Sequence, residues 1–170
     1  MPGLNRFYAG RMSIPRLDAL LVATLAAGTL STVVQVALWL LFTDAWPSVL
    51  FRDARLAAAL VLGPSVLPPP ATFDPAVRAV ATVVHFALSL VYSAIVALGV
   101  AGQPPARAVA RGAAFGLVLY FVNMHGFTLI FPWFAQARDW ITVVAHVAFG
   151  IVAAIACRER GGRQLRDNHV

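Results

Sequence analysis

No Asp or Glu lies inside any of four long apolar runs of this chain, and arginines gather near their ends. The runs cover about 17–43, 75–101, 106–131 and 138–157, with Asp18 and Asp139 only at the edges of the first and fourth. A helix needs about 20 apolar residues to cross the ~30 Å hydrocarbon layer, so each run is long enough to span a bilayer. Of the 170 residues, 60% are hydrophobic and 12% charged, against about 45–50% and about 25% in a soluble domain. One water-soluble core cannot hide that much apolar surface. The expected fold is all-α: an integral membrane four-helix bundle in contact with lipid.

The first run is too long for a signal sequence, whose apolar core is ~7–15 residues. Residues 1–16, with Arg6, Arg11 and Arg16, are expected to form a cytoplasmic N-terminal segment. Residues 17–158 would hold the bundle, and the polar stretch 159–170 an irregular cytoplasmic tail. The longest connection, 44–76, contains a short apolar stretch at 54–67. It is too short to span and is expected to lie at the interface or to re-enter the bilayer. Asp74-Pro75 reads as a helix start, with an N-cap followed by proline at the first helical position. The short connections after the second and third runs make successive spans antiparallel neighbours.

The formal charge is +6 and every basic residue is Arg. These arginines flank apolar runs instead of forming one basic face, so nucleic acid is not the expected partner. With four spans, Arg6, Arg11, Arg16, Arg107, Arg111, Arg158, Arg160, Arg163 and Arg166 share one side. The other side holds Arg52, Arg55, Arg78 and Arg138, balanced by Asp44, Asp53, Asp74 and Asp139. The positive-inside rule then places both termini in the cytoplasm. Trp39, Trp46, Trp133 and Trp140 fall near the opposite interface, where an aromatic belt sits.

The runs also echo one another. ATVVHFALSLVYSAIVA in the second resembles ITVVAHVAFGIVAAIA in the fourth. FTDAWPSVLFRDARL after the first resembles FPWFAQARDWIT after the third, which suggests a two-plus-two parallel repeat.

Small residues four apart share a helix face and let backbones approach closely. Gly28 with Thr32, Ser89 with Ser93, Gly112 with Gly116, and Gly150 with Ala154 are the candidate packing positions. A second pattern concerns depth. Counting ~1.5 Å per residue, Gln35, His85, His125 and His146 all sit roughly 10–15 Å from the same non-cytoplasmic edge. Asn123 lies near them, on the same face of its run as Gly112, Gly116 and Tyr120, with His125 turned nearly the other way. Polar groups at such depth face the bundle or a water pocket.

His85 and His146 are the candidate cofactor ligands, since two histidines on facing helices can hold haem iron or a metal. A three-ligand zinc site is not expected, and Cys157, the only cysteine, offers neither a disulfide nor a cysteine metal site. No catalytic residue emerges: there is no G-x-S-x-G, P-loop or dinucleotide fingerprint. The missing intramembrane carboxylates weaken a proton-coupled transporter. The expectation is a non-enzymatic bundle without cofactor, acting as a homo-oligomer or as an accessory subunit of a membrane complex. A b-type haem or metal protein using His85 and His146, and a small transporter or channel, are the alternatives.

The order of parts resembles the small bacterial inner-membrane proteins of the YagU type. The matching residues are His85 near the start of span two, FVNMHGFTLIFP with His125 and Pro132 ending span three, and His146 early in span four. The resemblance covers most of 17–158, but the first loop differs and a long acidic C-terminal tail is missing. It implies an inner-membrane location and a link to acid-stress tolerance, and it brings no catalytic residue.

Overall fold

The computed structural model describes the backbone of residues 17–167 and the side chains of residues 17–158. The expected N-terminal segment 1–16 lies outside the described residues. Five α-helices follow in order: α1 (Leu17–Phe42), α2 (Ser48–Leu62), α3 (Pro75–Val100), α4 (Pro105–Phe121) and α5 (Trp140–Asp167). The described residues contain no strand. Four helical segments are long and apolar enough to cross a membrane: Leu17–Phe42, Pro75–Val100, Pro105–Leu129 and Trp140–Arg158. Helix α5 is assigned through Asp167, so its backbone runs on into the stretch expected to be irregular.

The ends of the helices follow from local chemistry. Asp74 caps α3: its Oδ1 accepts from the amides of Ala76 at 2.9 Å and Val77 at 3.0 Å, with Pro75 at the first helical position. The α3–α4 turn passes through Gly102 at φ +67°, a left-handed conformation that favours glycine. Arginines then cover carbonyls left open there. Arg111 donates to Gly99 O at 2.7 Å, and Arg158 donates to Gln103 O at 3.0 Å. Two arginines of the charge-asymmetric flank thus also tie α4 and α5 to the end of α3.

Helix α5 is the hub. It packs most extensively against α4 and α1, and less against α3. The α4–α5 contact depends on missing side chains. A Cβ on Gly112 would lie 2.7 Å from Ala154 Cβ and would collide with Gly150 O, while one on Gly116 would collide with His146 O. Between α1 and α3 the fit is looser, because side chains fill the gap: a Cβ on Gly28 would meet Phe86 at 2.9 Å and His85 and Ser89 at 3.2 Å. In both pairs a glycine faces the histidine-bearing stretch of the partner helix, as the sequence echo suggests. The equivalence stops at that level. Although joined by a short turn, α3 and α4 touch far less than α4 and α5 do, so sequence neighbours are not the closest packing neighbours.

The core is made of small residues: Ala27, Ala108, Ala153 and Ala154 are buried, with Val96, Val100, Leu119 and Phe149 among them. Large apolar side chains such as Leu25, Val33, Leu41, Val83, Val91 and Val118 are exposed on the outside. This inversion of the soluble pattern is what close helix packing in lipid requires.

Two regions depart from expectation. The short connecting helix begins at Ser48, earlier than the stretch at 54–67, and ends where Gly63 takes φ +79°. One face of it packs on the bundle: Ala58 packs with Val77 and Ala81 of α3, and Leu56 packs with Tyr120, Met124 and Ala137. Trp133 donates its indole N–H to Leu56 O at 3.1 Å, and Arg55 holds the following loop through Val66 O at 2.7 Å.

The third span is regular only to Phe121. It continues as a π-helical turn, Val122–Gly126, and a tighter turn, Phe127–Leu129. A widened turn leaves carbonyls poorly satisfied. Arg138 meets this need by donating to Met124 O at 2.6 Å and Thr128 Oγ1 at 2.6 Å. The tryptophans divide. Trp39 is buried with Val49 and Ile141, while Trp46 and Trp140 are exposed.

Candidate functional site: a polar cavity between the helices

The π-helical turn carries Asn123 inward and leaves His125 exposed. His125 packs beside Tyr120 and Phe121, with ring centroids 5.7 Å and 5.6 Å away, and takes no part in the internal polar layer. The other four expected members, Gln35, His85, Asn123 and His146, all line one cavity of about 180 Å³. Tyr92 and Ser89 of α3 complete its polar wall.

The hydrogen bonds fix the chemistry of that wall. His146 Nδ1 lies 2.8 Å from Thr142 O, which can only accept, so Nδ1 carries the proton. Nε2 is then an acceptor for Asn123 Nδ2 at 3.3 Å. That orients the amide so that Asn123 Oδ1 accepts from Tyr92 OH at 3.0 Å. One self-consistent relay thus joins α3, the end of the third span and α5. One N–H of Asn123 and the lone pairs of Tyr92 remain for a further partner.

His85 is engaged on the other side. Its Nε2 lies 3.2 Å from Gly28 O, so Nε2 donates and Nδ1 is left as an acceptor. Ser31 at 3.1 Å and Thr32 at 2.9 Å donate to the same carbonyl. Gly28 therefore serves twice: it admits α3, and it exposes a carbonyl to three side-chain donors.

Asp53 stands behind the cavity wall, outside its lining, and this placement was not legible in the sequence. Helix α2 brings it to Gln35, whose Nε2 lies 3.5 Å from Asp53 Oδ2. Arg52 donates to Asp53 Oδ1 through Nε at 2.8 Å. Burial pushes the Asp53 carboxyl up to about 6; the charge and hydrogen bond of Arg52 oppose this, and Asp139 adds to it. The only advance signal was the amphipathic stretch around it, which does not say where the helix docks.

The packing positions fall where small residues were expected. Gly28 and Ser89 meet across α1 and α3, while Gly112, Gly116 and Gly150 meet across α4 and α5. Ser93 is fully buried, and its carbonyl lies 3.8 Å from Cys157 Sγ.

A haem does not fit this arrangement. The cavity is smaller than the roughly 300–1,000 Å³ of ordinary ligand pockets, and both ring nitrogens of His146 are already hydrogen-bonded within the protein. Among the described residues no three His, Cys, Asp or Glu side chains cluster as metal ligands. Toward the α3–α4 turn the bundle interior is closed by Val96, Val100, Ala108 and Ala153.

Compared with protein-family models, curated proteins and solved structures, the chain finds no match. Fold and site therefore define a class on their own terms: an all-helical chain with four helices fit to cross a membrane. Its distinguishing part is the small uncharged polar cavity beside α5.

Proposed function

We propose that this chain is a multi-pass protein of a bacterial inner membrane, with both termini cytoplasmic, and that it works by binding and not by catalysis. The observation that carries this reading is the Tyr92–Asn123–His146 relay on a cavity wall bearing no charged side chain. A wall of neutral, mutually satisfied groups holds a ligand or a water cluster. It supplies neither an activated nucleophile nor a carboxylate acid–base pair. The outward-facing Leu and Val side chains support contact with lipid, and the nine-to-four split of the arginines supports the orientation.

In this reading the bundle acts as a homo-oligomer or as an accessory subunit of a larger membrane complex. The link to stress tolerance belongs to the YagU resemblance alone. The His85→Leu/His146→Leu double variant tests the cavity's role. Loss of thermal stability and of assembly in mild detergent is the expected result. A variant identical to wild type in stability, assembly and cell phenotype would remove the cavity from the account.

A further inference from the structure

The cavity has the size and polarity of one substituted ring. A cavity of about 150 Å³ in a protein core accepts benzene, and this one measures about 180 Å³. Its apolar wall includes Leu88, Phe127, Phe134 and Phe149. Its polar wall offers both signs of hydrogen bond: the spare N–H of Asn123 as donor, and His85 Nδ1 and the Tyr92 oxygen as acceptors. With no fixed charge on the wall, an ionic ligand would be buried without a counter-charge, which is costly. The ligand is therefore neutral.

Its route is marked by a second hollow. On the next turns of α3, Ile95, Val96 and Gly99 form an apolar groove with Phe115 of α4, and Arg111 stands at its far end. A Cβ on Gly99 would meet nothing within 4 Å, so the groove has free width there. Cavity and groove follow one another along α3, and the groove lies between α3 and α4, which touch far less than α4 and α5 do. Together they fit a ring with hydrogen-bonding oxygens joined to an apolar chain.

We propose that the cavity binds the headgroup of a single-ring quinol, with the apolar tail lying in the α3–α4 groove. His85 and Tyr92 lie seven residues apart on α3, about 10 Å along the axis. That separation is comparable with a para-dihydroxy ring donating a hydrogen bond of ~2.8 Å from each hydroxyl, one to His85 Nδ1 and one to the Tyr92 oxygen. The carbonyls of a quinone can donate to neither acceptor. The proposal rests on the binding reading above and adds the ligand class; it includes no electron transfer.

The test uses the full chain in lipid nanodiscs under reducing, oxygen-free conditions and a para-hydroquinone with a decyl tail as probe, with decylbenzene as the tail-only control. Saturable binding of the quinol is expected, with decylbenzene binding at least tenfold more weakly. Tyr92→Phe and Asn123→Leu should each weaken the quinol roughly tenfold, the loss of about one well-placed hydrogen bond. If Asn123→Leu fails to fold, Tyr92→Phe, which keeps the ring, carries the test alone. No saturable quinol binding, equal binding of decylbenzene, or unchanged affinity in Tyr92→Phe would each overturn the ligand class. The ligand-free His85→Leu/His146→Leu comparison is independent of these outcomes, so the binding reading and the quinol assignment fail separately.

Discussion

Asn123 Nδ2 lies 3.3 Å from His146 Nε2, across the gap between the end of the third span and α5. This one contact ties the irregular turn of Val122–Gly126 to the hub helix, and through Tyr92 it reaches α3 as well. Replacing Asn123 by Ala leaves the Tyr92 hydroxyl and His146 Nε2 without their partner. The expected cost is about 1–2 kcal/mol, at the level measured for hydrogen bonds between membrane helices. A thermal melt in detergent reads it as a lowered midpoint. His125→Leu, at an exposed position, is the matched control and should leave the midpoint nearly unchanged.

The glycine contacts differ in how far they can give. At Gly116 and Gly150 an added methyl meets backbone, which has nowhere to move. At Gly28 it meets the Phe86 ring edge and the His85 and Ser89 side chains. Gly116→Ala and Gly150→Ala should therefore each destabilise by about 1–3 kcal/mol, the range for overpacking, and Gly28→Ala by less. Comparing the three melting midpoints checks the order.

Asp53 gives the fold a pH dependence of definite sign. Its carboxyl is raised from 3.8 to about 6 in the folded chain. Between those values the folded form keeps a proton that the unfolded form has released. Stability is thus greatest below about pH 4, falls as pH rises toward 6, and flattens above. The loss is no more than about 3 kcal/mol for a shift of roughly two units. Melting midpoints across this window should fall for the wild type, and Asp53→Asn should remove that part of the slope.

Arg138 closes the irregular end of the third span by donating to Met124 O and Thr128 Oγ1. Arg138→Met should open that end and loosen the placement of Asn123. Faster amide hydrogen exchange in 122–130, with 108–118 unchanged, is the expected pattern. Uniform acceleration over both stretches would mean that Arg138 acts on the whole bundle.

The four long helices were legible because an apolar run of spanning length has few other fates, and Asp74-Pro75 marked a helix start that hydrogen bonds confirm in place. Counting residues from the helix ends put Gln35, His85, His125 and His146 at one level; of these Gln35, His85 and His146 line one cavity together with Asn123, and His125 does not. The widened turn after Phe121 was not legible, because a distant side chain, Arg138, covers one of its carbonyls, Met124 O. Nor was the docking of α2. A 15-residue amphipathic helix announces an apolar face without naming the surface that will cover it, so Asp53 could not be placed beside Gln35. The gap between α3 and α4 escaped notice for a related reason. A short turn fixes direction but not distance, and the glycines of α4 draw it to α5 instead.

The central claim is that four crossings of one bilayer bring these distant side chains together, and membrane-impermeant thiol labelling tests it most directly. With the native Cys157 replaced by Ala, single cysteines are placed at Gln103, in the α3–α4 turn, and at Pro70, in the loop before α3. In sealed vesicles of known orientation, Gln103→Cys should label only from the cytoplasmic face and Pro70→Cys only from the opposite one. Labelling of both from the same face would contradict the account.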